Sequence, residues 1–263
     1  MASCSLLTTC KRFLYSGAGN RFILTTDTCL DQDHSFISIL CQEKQVDGIL
    51  YILPSLCSDA RLVIFNADGS RPSMCGNGLR CAMVHVSTLV SKKRISIETD
   101  IGVYSGIVYS SQRVFVDMTL PQWNYCCHQL SHTVPGLPTK VFFIHTGVPH
   151  LVVFVDNLSE IPVHVWGQFL RYHEAFSPEG VNVNFVQYLS NRECCIRTYE
   201  RGLERESLAC GTGATAVALV VSKCYGWQRG KIAIRTWSDV ILKVFLNHSR
   251  VYLEGPVEKE GEF

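Results

Sequence analysis

Two short segments of the chain place a cysteine before two glycines in the same order. They are CGNG at 75–78 and CGTG at 210–213, and each opens a segment that is typical of a helix. The unpaired N–H groups in the first turn of a helix bind anions, and glycine lets a ligand approach that backbone closely. The same field is expected to lower the pKa of a thiol placed there. Two copies predict a single site that is built from two matching halves.

Two such turns that face each other could hold one carboxylate, with a thiol on either side of the adjoining carbon. One thiolate would remove the hydrogen of that carbon as a proton, and the opposite thiol would deliver a proton to the other face. The result is racemisation or epimerisation without a cofactor. A helix N-terminus stabilises an anion by about 0.3–1 kcal/mol, whereas enzymes lower barriers by about 8 kcal/mol or more. We therefore expect further hydrogen bonds to the developing charge, in a site that closes over its substrate.

The segments that follow the two motifs repeat as well. ISI at 95–97 corresponds to IAI at 232–234, and VFVD at 114–117 corresponds to VYLE at 251–254. The copies are offset by 135 residues between Cys75 and Cys210 and by 137 residues at these later segments. Such a small drift predicts an internal duplication.

The two helices that begin at the motifs differ in pattern. After Cys75, apolar residues recur at helical spacing and predict a helix with one apolar side. After Cys210, the segment is apolar on nearly all sides and predicts a helix that strands surround. Residues 121–138 lack any alternation and predict an irregular passage between the halves.

These patterns predict an α+β fold of two pseudo-symmetric lobes, with the active site between them. Each lobe is expected to be a mostly antiparallel sheet or barrel that is wrapped around a central helix. The N-terminal lobe is predicted over 1–118, carries Cys75 and is completed by residues 256–263. The C-terminal lobe is predicted over 119–255 and carries Cys210.

Composition limits the class of protein. The 263 residues are 47% hydrophobic and 18% charged, with a net charge of +1, which gives no electrostatic reason to expect nucleic acid as a partner. No apolar run approaches the roughly 20 residues of a membrane span, and the first residues do not resemble a signal peptide. The thirteen cysteines lack the spacing of a zinc site, so we predict reduced thiols, a cytoplasmic location and no metal.

Both motifs lie in longer segments that resemble the diaminopimelate epimerase family. These segments are NADGSRPSMCGNGLRC at 66–81 and YERGLERESLACGTGA at 199–214, and the resemblance extends from GAGN at 17–20 to the last strands. It implies two matching lobes around one active site. It also implies a cofactor-independent isomerase that interconverts LL- and meso-diaminopimelate, on the route to lysine and peptidoglycan.

The resemblance also assigns roles to individual residues. Cys75 and Cys210 correspond to the acid/base pair, and His150 and Glu200 to the groups that set which thiol is ionised. Arg201 corresponds to the partner of the distal carboxylate, which its guanidinium can bind through two hydrogen bonds. The remaining substrate contacts are expected at Asn20, Asn66, Gly76, Asn77, Asn182, Glu200, Gly211 and Thr212.

The chain also departs from the family pattern. Gly48 and Val148 stand where the family usually has a glutamine and an asparagine, and the link from Glu200 to Cys210 is one residue longer. A site that hydrogen-bonds a group rejects analogues that lack it, because its own polar atoms are left unpaired. With two amides fewer, we expect weaker discrimination, which would extend to other acidic amino acids such as glutamate.

Other readings of the sequence remain open. One is a racemase or isomerase of another amino acid on the same fold, such as a proline racemase-like or phenazine-pathway enzyme. Another is a protein that binds an amino acid between two lobes without reacting. A cysteine hydrolase would not explain the duplication. For the main prediction, the expected partner is a small-molecule amino-acid substrate, with no nucleic acid and no membrane, and a homodimer is a possible assembly.

Overall fold

The structure, a computed structural model, describes residues 11–27, 33–118, 124–190 and 192–263. The predicted lobe boundary at residue 119 falls on 119–123, outside the described residues. Within these ranges, the first half contains two helices and seven strands. Its elements are β1 (Arg12–Gly17), β2 (Asn20–Thr25), α1 (His34–Lys44), β3 (Gly48–Leu53), β4 (Ala60–Asn66), α2 (Gly76–Val90), β5 (Arg94–Thr99), β6 (Gly102–Ser110) and β7 (Arg113–Asp117).

The second half repeats this order of elements with three additional strands, one at its start, one before its second helix and one at its end. A single 3₁₀ turn, Glu174–Phe176, follows its first helix. Its elements are β8 (Tyr125–Gln129), β9 (Lys140–His145), β10 (Pro149–Phe154), α3 (Val163–Arg171), β11 (Asn182–Ser190), β12 (Glu193–Glu200), β13 (Arg205–Ser207), α4 (Gly211–Tyr225), β14 (Arg229–Arg235), β15 (Ile241–Asn247), β16 (Arg250–Gly255) and β17 (Val257–Glu262).

The pairing of the strands confirms the duplication. Among the described strands, four pairings are parallel, namely β2 with β3, β4 with β5, β10 with β11 and β12 with β14, and the others are antiparallel. Each parallel pair is joined through one helix, so α1 corresponds to α3 and α2 corresponds to α4. The mostly antiparallel α+β fold predicted from the sequence is confirmed.

The halves meet where β7 pairs with β16, and β17 returns to pair with β1. One chain of pairings therefore runs through the sheets of both halves. The central helices share a hydrophobic core, which includes Leu79 and Val86 of α2 together with Val217 and Val220 of α4. Smaller clusters lie under α1 and α3.

Strands surround both central helices. Every residue of α4 from Gly211 to Ser222 is buried, as predicted. The prediction of a one-sided α2 is wrong, because its first eight residues, from Gly76 to Met83, are all buried. Polar residues on the other side of α2, such as Asn77 and Arg80, are buried because they contact the second half of the protein. Sequence periodicity alone does not reveal this contact. No helix in the described ranges is long and apolar enough to cross a membrane.

Two elements differ from the sequence prediction. The passage predicted to be irregular contains β8, an edge strand that pairs only with β9 in the described sheet. Its side chains are largely exposed, so it lacks the apolar alternation that marks a half-buried strand. Helix α1 was not predicted; it is capped by Asp33, whose carboxylate accepts the N–H groups of Ser35 and Phe36.

Candidate active site

Each of the two cysteines is the N-cap residue of a central helix. Cys75 has an extended backbone (φ −139°, ψ 112°), and its Sγ accepts the N–H of Gly78 at 3.4 Å. Cys210 is similar (φ −121°, ψ 113°), and its Sγ accepts the N–H of Gly213 at 3.3 Å. The sulfur therefore takes the place of the oxygen that usually caps a helix.

The first turns of α2 and α4 are in contact. A Cβ atom added at Gly76 would lie 3.4 Å from the Cα atom of Gly211, and one added at Gly211 would lie 3.5 Å from the Cα atom of Gly76. Glycine at both positions lets the two backbones approach, with the positive ends of both helices directed to the same region. The two N-terminal turns open into a single cleft of about 320 Å³, which both cysteines line.

The cleft brings together every site residue predicted from the sequence except one. His150 does not line it. The eleven that do are Asn20, Asn66, Cys75, Gly76, Asn77, Asn182, Glu200, Arg201, Cys210, Gly211 and Thr212.

Asn77 connects the two halves at the floor of the cleft. Its Nδ2 donates to Oδ1 of Asn20 at 2.7 Å and to the carbonyl of Ala209 at 2.8 Å. Ala209 immediately precedes Cys210, so the first turn of α2 holds the segment that leads into the second cysteine. Asn20 in turn donates to Asp47 at 3.2 Å.

Asn182 and Arg201 form the opposite wall. The Asn182 amide donates to the carbonyl of Pro149 at 3.0 Å and accepts the backbone N–H of Arg201 at 3.0 Å. The Arg201 guanidinium donates to the carbonyl of Glu179 at 3.2 Å. Arg171 lines the same wall, and its Nε donates to Glu204 at 3.1 Å. This end of the cleft therefore carries two guanidinium groups.

His150 lies behind the cleft on β10 and is completely buried. The Asn184 Nδ2 is 3.1 Å from its Nδ1 and donates to the carbonyl of Leu151 at 3.0 Å, and Oδ1 of the same amide accepts the Thr198 hydroxyl at 3.1 Å. Because a carbonyl can only accept, these contacts fix Nδ2 as the donor and Nδ1 of His150 as the acceptor. Burial lowers the pKa of His150 to about 3. The ring is therefore neutral near pH 7 and carries its proton on Nε2.

Burial controls the ionisation of the two thiols. It raises the pKa of Cys75 to about 11, against the lowering effect of the Gly78 N–H, and it raises the pKa of Cys210 well above the ordinary value. The prediction of lowered thiol pKa values is wrong for the free protein, because loss of water outweighs the helix N-terminus. Glu200 contributes to both increases as a nearby anion, and its own pKa is raised by burial.

Of the two residues that depart from the family pattern, Val148 and Gly48, only the first lines the cleft. Val148 lines the cleft and presents an apolar side chain to it. Gly48 does not line the cleft; it is buried in β3, and a Cβ atom there would collide with the backbone carbonyl of Phe65. The prediction that Gly48 removes a contact from the binding region is therefore wrong, because this position packs against β4.

The sequence reasoning missed several residues of the cleft. Ser70, Arg71 and Ser73 line it from the loop between β4 and α2, and Asp47 and Arg171 line it from the sides. Position in the loop before Cys75 could have indicated the first three, whereas α3 carries no motif that points to Arg171. Among the described residues, no group of three or more histidine, cysteine or acidic side chains is arranged to hold a metal ion.

The amino-acid sequence of the chain is similar to those of known proteins. A family model described as diaminopimelate epimerase matches residues 12–124 and 142–259. The diaminopimelate epimerase of Chlamydia trachomatis serovar L2 is 53% identical over 98% of this chain and 93% of the relative. That of Hydrogenobaculum sp. strain Y04AAS1 is 36% identical over 94% of this chain and 95% of the relative.

Solved structures extend the likeness at the level of the fold. The crystal structure of a phenazine biosynthesis protein of the PhzF family from Bacillus anthracis superposes with a TM-score of 0.72. It covers 97% of this chain and 98% of its own, at 14% sequence identity. At this identity the likeness concerns the two-lobed architecture alone.

Proposed function

The chain belongs to the diaminopimelate epimerase family, and from this premise we propose that it converts LL-diaminopimelate to meso-diaminopimelate without a cofactor. This reaction supplies lysine and peptidoglycan precursors. One observation carries the proposal: Cys75 and Cys210 cap two helices whose first residues are in contact, and both line one cleft. Such a cleft can present a thiol to each face of one carbon atom.

In the proposed reaction, the free N–H groups of both first turns bind the carboxylate next to the reacting carbon. The thiolate of one cysteine takes the α-hydrogen as a proton and becomes a thiol. The thiol of the other cysteine gives its proton to the opposite face and becomes a thiolate. Glu200, whose carboxyl group lies against the Cys210 thiol, is an acid/base group beside this exchange. The resemblance gives His150 a role beside the thiols, and its neutral ring would act there as a hydrogen-bond donor through Nε2.

The distal end of the substrate is assigned to the opposite wall. Diaminopimelate carries a second carboxylate there, and Arg201 is the proposed partner, with Arg171 as a second cation on the same wall. Asn182 supports Arg201 by accepting its backbone N–H.

The test measures inversion and α-hydrogen exchange together. Purified protein is incubated with LL-diaminopimelate in deuterated water without added cofactor, and the stereoisomers and the deuterium content are followed by chromatography and NMR. We expect meso product with deuterium at the inverted carbon, and no inversion by Cys75→Ala or Cys210→Ala. A protein that only binds amino acids would leave the α-hydrogen in place, and inversion by the double variant would contradict the two-base mechanism.

A second candidate substrate is glutamate. Val148 lines the cleft where the resemblance leads us to expect an asparagine, so one amide fewer is available to reject a shorter acidic amino acid. We propose that L-glutamate is racemised more slowly than diaminopimelate is epimerised. Val148→Asn should lower the rate with glutamate relative to the rate with diaminopimelate. The absence of any turnover of L-glutamate or L-aspartate would end this part of the proposal.

The proposal also includes a location and an assembly. All ten cysteines that the structure describes are free thiols, which supports the reducing cytoplasm as the location. A homodimer is the assembly that we propose, and sedimentation of the purified protein tests it directly.

A further inference from the structure

One buried cation lacks an acidic partner in the part of the chain that the structure describes. Arg80 lies on α2, one turn after Gly76, and is completely buried. Its Nη2 donates to Oδ1 of Asn77 at 2.7 Å and its Nη1 to the carbonyl of Gly76 at 3.3 Å, while its Nε has no partner in the described structure. Within the described residues no carboxylate forms an ion pair with it. The buried carboxylate of Glu254 pairs instead with Lys243 at 2.7 Å and with Arg113 at 3.3 Å.

A buried charge without a counter-charge is costly, because the guanidinium loses its hydration and gains no opposite charge. Burial accordingly lowers the pKa of Arg80 from its ordinary value. Such a residue requires a reason, and neither polar contact that it makes needs a full positive charge. The uncharged side chain of glutamine at this position could also donate to a carbonyl or an amide oxygen.

The position of Arg80 relates it to both cysteine turns. A Cβ atom added at Gly211, the first residue of α4, would lie 3.2 Å from Nη1 of Arg80. The guanidinium donates a hydrogen bond to Asn77, which in turn donates one to the carbonyl of Ala209, the residue before Cys210. The thiols that interact electrostatically with it are those of Cys81, Cys75 and Cys210. Cys81 does not line the cleft, and burial raises its pKa strongly, so it remains a thiol.

The proposed reaction keeps the charge of the cysteine pair constant. Before turnover one sulfur is a thiolate and the other a thiol, and after turnover the two have exchanged states, so the pair carries one negative charge throughout. We propose that Arg80 is the fixed counter-charge of this pair and compensates the thiolate whichever of the two sulfurs carries it. Arg80 does not touch the cleft and acts through the thiols, so its role is that of a positioning residue.

The other groups near the thiols strengthen this assignment. When ionised, Glu200 on β12 opposes thiolate formation on both sides; burial and Asp47 raise its pKa, while Arg205 lowers it. His150 on β10 is neutral. Cys81 on α2 is a thiol. From the elements packed against the two turns, Arg80 is thus the buried cation that faces the thiols within the described structure.

The test compares Arg80→Gln, which keeps a hydrogen-bond donor without the charge, with Arg80→Lys, which keeps the charge. Alkylation of each cysteine by iodoacetamide is followed against pH, with the modified residues identified by mass spectrometry. Between pH 7 and pH 9 we expect the alkylation rates of Cys75 and Cys210 at a given pH to fall at least tenfold in Arg80→Gln, as for a rise of one pKa unit, and less than about threefold in Arg80→Lys. Arg61→Gln, which removes one charge from β4 outside the cleft, should leave both profiles unchanged.

Kinetics provide a second readout that a purely structural role would not move. At pH 8, kcat should fall at least tenfold in Arg80→Gln, because one pKa unit changes the thiolate fraction tenfold, and the loss should shrink only as the pH approaches the pKa of the thiol. Arg80→Lys should stay within about threefold of the parent, since the charge remains. A loss that is equal in both variants and does not depend on pH would overturn the proposal and leave a packing role.

A third variant, Arg80→Met, serves as the control for an effect on folding. If the guanidinium is an uncompensated charge in the free protein, this apolar side chain of similar length should raise or preserve the melting temperature. The same alkylation profile is then measured on it and should match that of Arg80→Gln. Unchanged alkylation rates of Cys75 and Cys210 in both neutral variants would refute the inference. The inference rests on the proposed function, but alkylation needs no substrate, so its failure is distinguishable from a failure of epimerisation.

Discussion

Two opposing effects act on the ionisation of the Cys75 and Cys210 thiols. Each accepts an N–H group at a helix N-terminus, which favours the thiolate, and each loses hydration, Cys75 as a partly buried and Cys210 as a buried residue, which favours the thiol. Burial is the larger effect in the free protein. The lowering effect of Arg80 on the Cys75 pKa is already part of this balance, so proton transfer at neutral pH requires further help, which in the proposed reaction comes from the ammonium group of the substrate.

Alkylation of the free protein should reveal these raised pKa values. Since the pKa of Cys75 is about 11, its rate of reaction with iodoacetamide should rise about tenfold per pH unit between pH 7 and pH 9, without reaching a plateau. Peptide mass spectrometry after short exposures gives the rate, with the exposed Cys57 as an internal reference for access. A plateau below pH 8 would mean that the helix N-terminus dominates after all.

The state of His150 can be checked without any substrate. Its ring should be neutral and protonated on Nε2 from pH 5 to pH 9, because its pKa is lowered to about 3 and Asn184 donates to Nδ1. Nitrogen-15 chemical shifts of the imidazole distinguish the two neutral forms. Asn184→Ala should allow the Nδ1-protonated form to appear, whereas the exposed His132 should be unaffected by the substitution. A parent ring protonated on Nδ1 would refute the assignment.

At the level of elements, the two helix starts depend on close backbone contacts. Gly213 in the first turn of α4 donates to the Cys210 sulfur, and a Cβ atom on it would collide with Oδ1 of Asn184. The hydrogen bonds of Asn184 to Leu151 and Thr198 hold this oxygen in place, so the Asn184 side chain cannot move away from an added Cβ atom.

Gly213→Ala should therefore destabilise the protein by about 1–3 kcal/mol, the usual cost of overpacking. It should also displace the Cys210 sulfur and lower kcat. Chemical denaturation gives the free energy of unfolding. Gly261→Ala is the matched control, since a Cβ atom there meets open space. Adding Asn184→Ala to Gly213→Ala should recover part of the loss, and a fully additive double variant would show that the collision is not the cause.

At the level of the whole molecule, the sheets are continuous and one hydrophobic core contains side chains from both central helices. The core also encloses titratable groups that must stay neutral. His85, which pairs with the Tyr15 hydroxyl at 3.2 Å, has its pKa lowered to about 4 by burial, and His150 has its pKa lowered to about 3.

Stability should consequently fall in acid. A histidine with a lowered folded-state pKa contributes stability that is present above its unfolded pKa of about 6.5 and is lost as the pH falls toward the folded value. The free energy of unfolding should drop by up to about 1.4 kcal/mol per pH unit for each histidine, between pH 6.5 and pH 4 for His85 and down to pH 3 for His150. Urea denaturation at several pH values measures the slope.

Replacing a buried histidine tests the origin of this slope. His85→Gln should reduce the acid slope by about half within the window from pH 6.5 to pH 4, because one of the two groups no longer titrates. His132→Gln, on the surface, should leave it unchanged. An acid slope that is identical in the parent and in His85→Gln would assign the effect to other groups.

The sequence by itself determined the local chemistry and the duplication. Cysteine followed by two glycines specifies a helix start with a sulfur cap, and the repeated spacing of the later strands specifies two equivalent halves. Strand alternation and the apolar α4 then determined the fold class, since such elements bury their apolar faces in only one way. The eleven predicted residues of the cleft follow from the motifs and from the family resemblance that these carry.

Only the tertiary structure decided what surrounds each of these groups. Burial of Cys75 depends on the other half of the protein, so the direction of its pKa shift could not be read from its own helix turn. The same holds for Arg80, which looks like a surface residue in the sequence but is enclosed between the two halves, and for Gly48, which packs against β4. Conformation follows from near neighbours along the chain, whereas solvation and charge balance follow from neighbours in space, and these are fixed only when the halves come together.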